Sequence, residues 1–178
     1  MIDEDLRAEL LAMEQRDRSV RAELVARGEL HRPGYHPEMA AVHAEHNRRM
    51  RAIVAAVGWP GRSLVGDDGC RAAGFIVQHA ILDPELQQGC VALLETAVAA
   101  DEAWPFMLAL LADRVLMEQG RPQLYGTQLV GGATPGSLEP WPIEDPAAVE
   151  ERRQAMGLPP LAEHLARLSQ QHREETGK

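Results

Sequence analysis

Apolar residues at positions 6, 10, 13, 20 and 24 recur at the three- and four-residue spacing that lines one face of an α-helix. The position missing from that seam is 17, and it is Asp. Two other apolar helical stretches are broken in the same way. GFIVQHAIL carries Gln78 and His79, and MLALLADRVLM carries Asp113 and Arg114. Burying such groups without partners costs several kcal/mol. A chain with three such interruptions is therefore expected to gather them into one polar cluster.

The periodicity predicts a first helix from about Asp3 to Arg27, stopped by Gly28, and a second from Pro37 to Gly58 ahead of Trp59-Pro60-Gly61. A third, nearly all apolar, is expected from about Gly69 to Leu82, and a fourth from the Asp83-Pro84 cap to Ala99. A fifth covers about Ala103 to Glu118 and ends at Gly120. Residues 123–142 are rich in Gly, Pro and Thr and lack helical spacing, so they read as a long loop with room for a short strand or hairpin. Asp145-Pro146 should cap a sixth helix to about Met156, and Pro159-Pro160 opens a seventh that frays in a charged tail over residues 173–178. The expectation is an all-α, single-domain bundle of about seven helices spanning residues 1–178.

The 178 residues, 45% of them hydrophobic, suffice for one core that needs no metal or disulfide to fold. Cys70 and Cys90 read as small buried thiols rather than a bridge, which suits a reducing cytoplasm. A net charge of -9 argues against nucleic acid as a partner. No apolar run approaches the length of a membrane span, and the acidic N-terminus is unlike a secretory signal. The expected partner is a small-molecule ligand, with a homodimer also compatible with the apolar fraction. No cofactor motif is present: there is no nucleophile elbow, phosphate loop or dinucleotide fingerprint.

His79, hemmed in by Ile76, Val77, Ala80 and Ile81, is either a hydrogen-bonded core histidine or a general acid/base. Asp113 and Arg114 project about 100° apart on a helix with little polar face, so at least one must face other protein. Asp113 is either the partner of an arginine elsewhere or a carboxylate of the site, and Arg114 either clamps the long loop or holds an anionic ligand. Asp17 either pairs with Arg21 one turn later or orients His79 or Arg114. Gln123, Tyr125, Gly126, Thr127 and Gln128 form the densest hydrogen-bonding group, as ligand contacts or as a loop that ties itself down. His43 and His46, three residues apart, could share a metal ion with His36 or His79, but the pair alone is a weak signal.

With those residues in hand, GWP at 58–60, VG at 65–66, AAGFIVQHA at 72–80, ADRVL at 112–116, QLYGTQ at 123–128 and RRQAMGLPPL at 152–161 resemble a bacterial family known only as a domain of unknown function. The resemblance runs from RDRSVR at 16–21 to the last helix. It implies a single domain and importance for Asp17, Arg21, Asn47, Trp59, Gln78, His79, Asp113, Arg114, Gln123, Tyr125, Gly126, Thr127 and Gln128, and it implies no reaction. The AAGF stretch departs from the tryptophan-containing version of that motif, and the GGATPG loop is longer than usual.

Together these residues lead to a small cytoplasmic enzyme acting on a small polar or anionic metabolite by metal-free acid/base chemistry, as a hydrolase, lyase or isomerase. His79, Asp113 and Asp17 are its expected catalytic groups. Arg114, Gln78, Gln123, Tyr125, Gly126, Thr127, Gln128, Arg21 and Asn47 are its expected ligand contacts. Two alternatives stand beside it: a non-enzymatic ligand- or protein-binding module whose polar cluster is structural, and a metal-dependent helical enzyme.

Overall fold

The computed structural model describes residues 1–30, 34–132 and 137–176. Among them are seven α-helices: α1 (Glu4–Ala26), α2 (Pro37–Val57), α3 (Arg62–Gln78), α4 (Pro84–Ala99), α5 (Pro105–Glu118), α6 (Val149–Ala155) and α7 (Leu161–Thr176). Two short strands, β1 (Leu129–Gly131) and β2 (Leu138–Pro140), complete the set, so the fold is all-α as the periodicity requires. Among the described residues no helix is long and apolar enough to cross a membrane. The chain divides into two compact units, Met1–Met107 and Leu108–Lys178.

In the first unit, α1, α2 and α3 pack against one another, and α4 packs on α2 and α3. The seam of α1 supplies Leu10, Met13, Val20 and Leu24, which meet Met39, Val42, Met50 and Ile53 of α2 and Val65, Ala72, Ala73, Ile76 and Val77 of α3 in the core. Two helix starts are fixed by capping carboxylates. The Asp3 carboxylate accepts the Leu6 N–H at 3.0 Å and the Asp83 carboxylate accepts the Leu86 N–H at 3.1 Å, each satisfying an orphan donor of the first turn.

The third helix differs from its expected span at both ends. It begins at Arg62, because Gly66, at φ 72° and ψ 173°, inserts a kink in a segment too rich in Gly and Asp to look helical. The short first piece is held by the Asp3 N–H, which donates to the Leu64 carbonyl at 2.7 Å, and the turn just past the kink is held to α1 by a two-pronged contact of Arg7 with Asp68, at 2.8 and 2.7 Å. The helix stops at Gln78 rather than Leu82. Gln87, fully buried on α4, donates its amide to the carbonyls of Val77 and Gln78 at 3.0 and 3.2 Å, satisfying the last turn from outside the helix. His79 therefore stands at the C-cap and not within a helix.

In the second unit the 123–142 segment holds the antiparallel hairpin of β1 and β2, with Leu129 opposite Pro140 and Gly131 opposite Leu138. The tip of the GGATPG loop lies outside the described residues. Asp145 does not cap the sixth helix. It takes a left-handed conformation, φ 46°, without a side-chain cap bond, and a 3-10 turn at Pro146–Ala148 precedes α6.

Cys70 and Cys90 are free and buried, on α3 and α4. Burial pushes the Cys70 thiol up and lifts that of Cys90 to about 12. Neither thiol should react with Ellman's reagent in mildly alkaline buffer while the protein is folded, and both should react in denaturant. Immediate reaction of either in the native protein would contradict the packing of α3 and α4.

Candidate functional site

The first unit places Asp17, His43 and His79 side by side. Asp17 lies on the buried seam of α1, His43 on the buried face of α2 and His79 at the C-cap of α3. The His43 Nε2–H donates to Asp17 Oδ2 at 2.6 Å. The His79 Nδ1–H points at the same carboxylate, 3.2 Å from Oδ1 and 3.1 Å from Oδ2. With Nε2 protonated, His43 accepts the Tyr35 hydroxyl at its Nδ1. The His79 ring is backed by Phe75 at 4.1 Å between centroids, and Phe75 in turn carries the Arg18 guanidinium 4.4 Å above its face.

This arrangement explains a carboxylate on an apolar seam. Burial by itself would raise the Asp17 pKa. The hydrogen bonds from His43 and then His79 outweigh burial, and Asp17 is held well below the usual carboxylate range. Side-chain exposure separates the three groups: 1% for Asp17, 7% for His43 and 30% for His79. His79 is by far the most exposed of the three, so a molecule arriving from outside meets that side chain first.

Three buried polar atoms near this group in the chain have no hydrogen-bond partner among the described residues: His46 Nδ1, Asn47 Oδ1 and Gln78 Oε1. His46 and Asn47 follow His43 by one turn of α2, and Gln78 precedes His79. Buried polar atoms are nearly always satisfied, so each of the three calls for a partner from outside the chain, water included. Burial also pushes the His46 imidazole down, against the pull of the Asp17 charge. Arg21 is half-buried one turn after Asp17.

In the second unit the expected residues converge on Asp113. Its carboxylate, fully buried, accepts the backbone N–H groups of Leu124, Tyr125 and Thr127 at 2.7, 3.1 and 3.0 Å and the Thr127 hydroxyl at 2.9 Å. Gly126, at φ 67°, lets the chain curl around the carboxylate, and a Cβ there would stand 2.9 Å from Leu161 and 3.0 Å from Ile143. The Gln123 amide donates to the carbonyls of Gln128 and Trp141 at 3.0 and 2.7 Å, and its oxygen accepts the Gln128 N–H at 2.8 Å. Gln128 reaches the Leu110 carbonyl of α5 at 3.2 Å. Each of these polar groups is used in tying the loop down. Arg114 is half-buried beside Asp113 on α5.

Sequence reasoning missed one residue of this picture and placed another only in part. The i, i+3 spacing pairs His43 with His46 as metal ligands, with His36 or His79 as a third; both lie on the buried α2 face, and it is His43 that joins His79 at Asp17. Arg153, fully buried, grips the carbonyls of Pro159, Tyr125 and Gly126 from α6, and only the RRQAMGLPPL resemblance pointed to it.

Removing the Asp113 carboxylate leaves three backbone donors and a hydroxyl buried without an acceptor. Asp113→Ala should lower stability in urea or thermal unfolding by about 3–5 kcal/mol. A loss under about 1 kcal/mol would mean that the loop is held by other contacts.

The chain matches no protein of curated description and no solved structure. A family model described as a family of unknown function (DUF6624) matches residues 4–173, which takes in the Asp17, His43 and His79 group, the Asp113-bound loop and the buried Arg153. The chain belongs to that family of unknown function.

Proposed function

We propose that this chain is a small cytoplasmic enzyme that carries out acid/base chemistry on a small polar metabolite, with His79 as the group that moves the proton. The observation that carries this reading is the Asp17 carboxylate, wholly buried, receiving His79 Nδ1–H while His79 is by far the most exposed of the three side chains. A hydrogen bond at Nδ1 leaves the lone pair on Nε2, so the imidazole is presented as a base. Asp17 is a positioning residue: it fixes the tautomer and ring plane of His79 and stabilises the imidazolium formed when Nε2 takes a proton. His43, closed off by Tyr35, holds the other side of the carboxylate.

The unpartnered oxygens of Asn47 and Gln78 favour a substrate that brings N–H or O–H donors, such as a hydroxylated or amide-bearing metabolite. The Asp113 loop, with its hydrogen bonds spent on itself, enters this reading as scaffold. Two free thiols suit a reducing compartment.

The test is a turnover screen on small amides, esters and hydroxy acids, read by mass spectrometry, with His79→Ala and Asp17→Asn beside the native chain. Loss of a proton-transfer group should lower the rate by roughly 10²–10⁴-fold in His79→Ala. Its circular dichroism should stay native, because the side chain is partly exposed and Gln87 still closes α3. Unchanged turnover in His79→Ala would remove His79 from the mechanism. Collapse of the fold in that variant would make the cluster structural.

A further inference from the structure

We propose that Asp17, His43 and His79 form a binding site for one divalent transition-metal ion of the zinc class. Each residue offers one ligand atom, and the three atoms lie within 4.8 Å of one another. They come from three separate elements, α1, α2 and the C-cap of α3, so the site is fixed by the core of the first unit rather than by one loop.

The chemistry of the set narrows the ion. Two imidazole nitrogens and one carboxylate oxygen suit zinc, cobalt or ferrous iron, whereas magnesium and calcium call for oxygen ligands throughout. Three protein ligands leave at least one position of a four-coordinate ion to be filled by water or another donor. The Tyr35 hydroxyl on His43 Nδ1 occupies the outer position from which a metal-ligating imidazole is normally oriented.

Binding asks only for a change of tautomer. His43 moves its proton from Nε2 to Nδ1, where the Tyr35 oxygen accepts it, and His79 moves its proton from Nδ1 to Nε2 on the solvent side. Asp17 already carries its negative charge. The two lone pairs and the carboxylate then face one centre, and no oxidant or further reactant is needed.

A second group of possible ligands, Glu29, His36 and Glu38, does not compete on the same terms. Glu29 and Glu38 are already engaged by Arg27 at 2.9 and 2.6 Å, and Glu38 is exposed. His36 therefore serves as an internal control.

The inference goes beyond the acid/base reading and is measured without turnover. The metal-free and metal-bound chain would be distinct forms: without an ion His79 Nε2 carries the lone pair used in the acid/base reading, and with an ion held at Nδ1 it is an N–H donor. Chain prepared without a histidine tag and stripped by a chelator should bind one equivalent of Zn²⁺ by titration calorimetry. Co²⁺ should give the visible absorption of a four-coordinate ion and broaden the His43 and His79 side-chain resonances of the native protein. Mg²⁺ should not bind.

His43→Ala and His79→Ala should each weaken Zn²⁺ binding by roughly 100-fold or more, Tyr35→Phe by roughly tenfold, and His36→Ala not at all. Absence of saturable Zn²⁺ or Co²⁺ binding, or binding unaffected by His43→Ala and His79→Ala, would overturn the site. Should those variants fail to fold, the Co²⁺ broadening in the native chain decides alone. No ion binding together with an inactive His79→Ala would sink the ion and spare the acid/base reading. Ion binding together with full turnover in His79→Ala would do the reverse.

Discussion

A carboxylate with no exposure to water must be neutralised where it stands, and in the first unit that requirement falls on Asp17. In an apolar interior an unpaired carboxylate costs several kcal/mol, enough to consume much of the stability of a domain this size. The answer is two imidazoles, from α2 and from the end of α3, aimed at the two oxygens. That pairing links three helices whose other contacts are non-directional packing of Leu, Met, Val and Ile. Their relative rotation is thereby set by hydrogen bonds as well as by fit.

The second unit meets the same requirement differently. Asp113 is equally buried, yet it draws on backbone N–H groups and one hydroxyl rather than on titratable side chains, and its oxygens are fully subscribed. The result is a rigid loop. Around Asp17 the partners are themselves chemical groups, one of them is open to solvent, and polar atoms of neighbouring residues are left unsatisfied. Buried polar atoms without a partner occur in the second unit too, on Arg153 and His164, so the feature that sets the Asp17 group apart is a titratable partner open to solvent.

Much of this was legible in the chain. The missing seam position at 17, the imidazole in GFIVQHAIL and the carboxylate in MLALLADRVLM announced themselves by polarity alone, and the structure brings Asp17 and His79 into direct contact. The helices followed from three- and four-residue spacing and from Asp83 as a cap. Three things did not follow. The start of α3 was hidden by Gly66, whose positive φ breaks the helical pattern between Arg62 and Gly69. The end of α3 was hidden because Gln87, nine residues past Gln78, supplies its terminal hydrogen bonds. The use made of Asp113 was hidden because a carboxylate ringed by backbone donors looks, in sequence, like any carboxylate beside a polar loop. Periodicity reports which face is buried, and it is silent on which partner a buried polar atom finds across the core.

The claim on which the rest depends is that Asp17 fixes both imidazoles by accepting a ring N–H from each. Long-range ¹H–¹⁵N spectra of the histidine side chains, recorded on chelator-treated protein, read this directly. The account predicts a protonated Nδ1 and a bare Nε2 for His79, the opposite tautomer for His43, and loss of both preferences in Asp17→Asn. A His79 that carries its proton on Nε2, or tautomers indifferent to the Asp17 substitution, would contradict it.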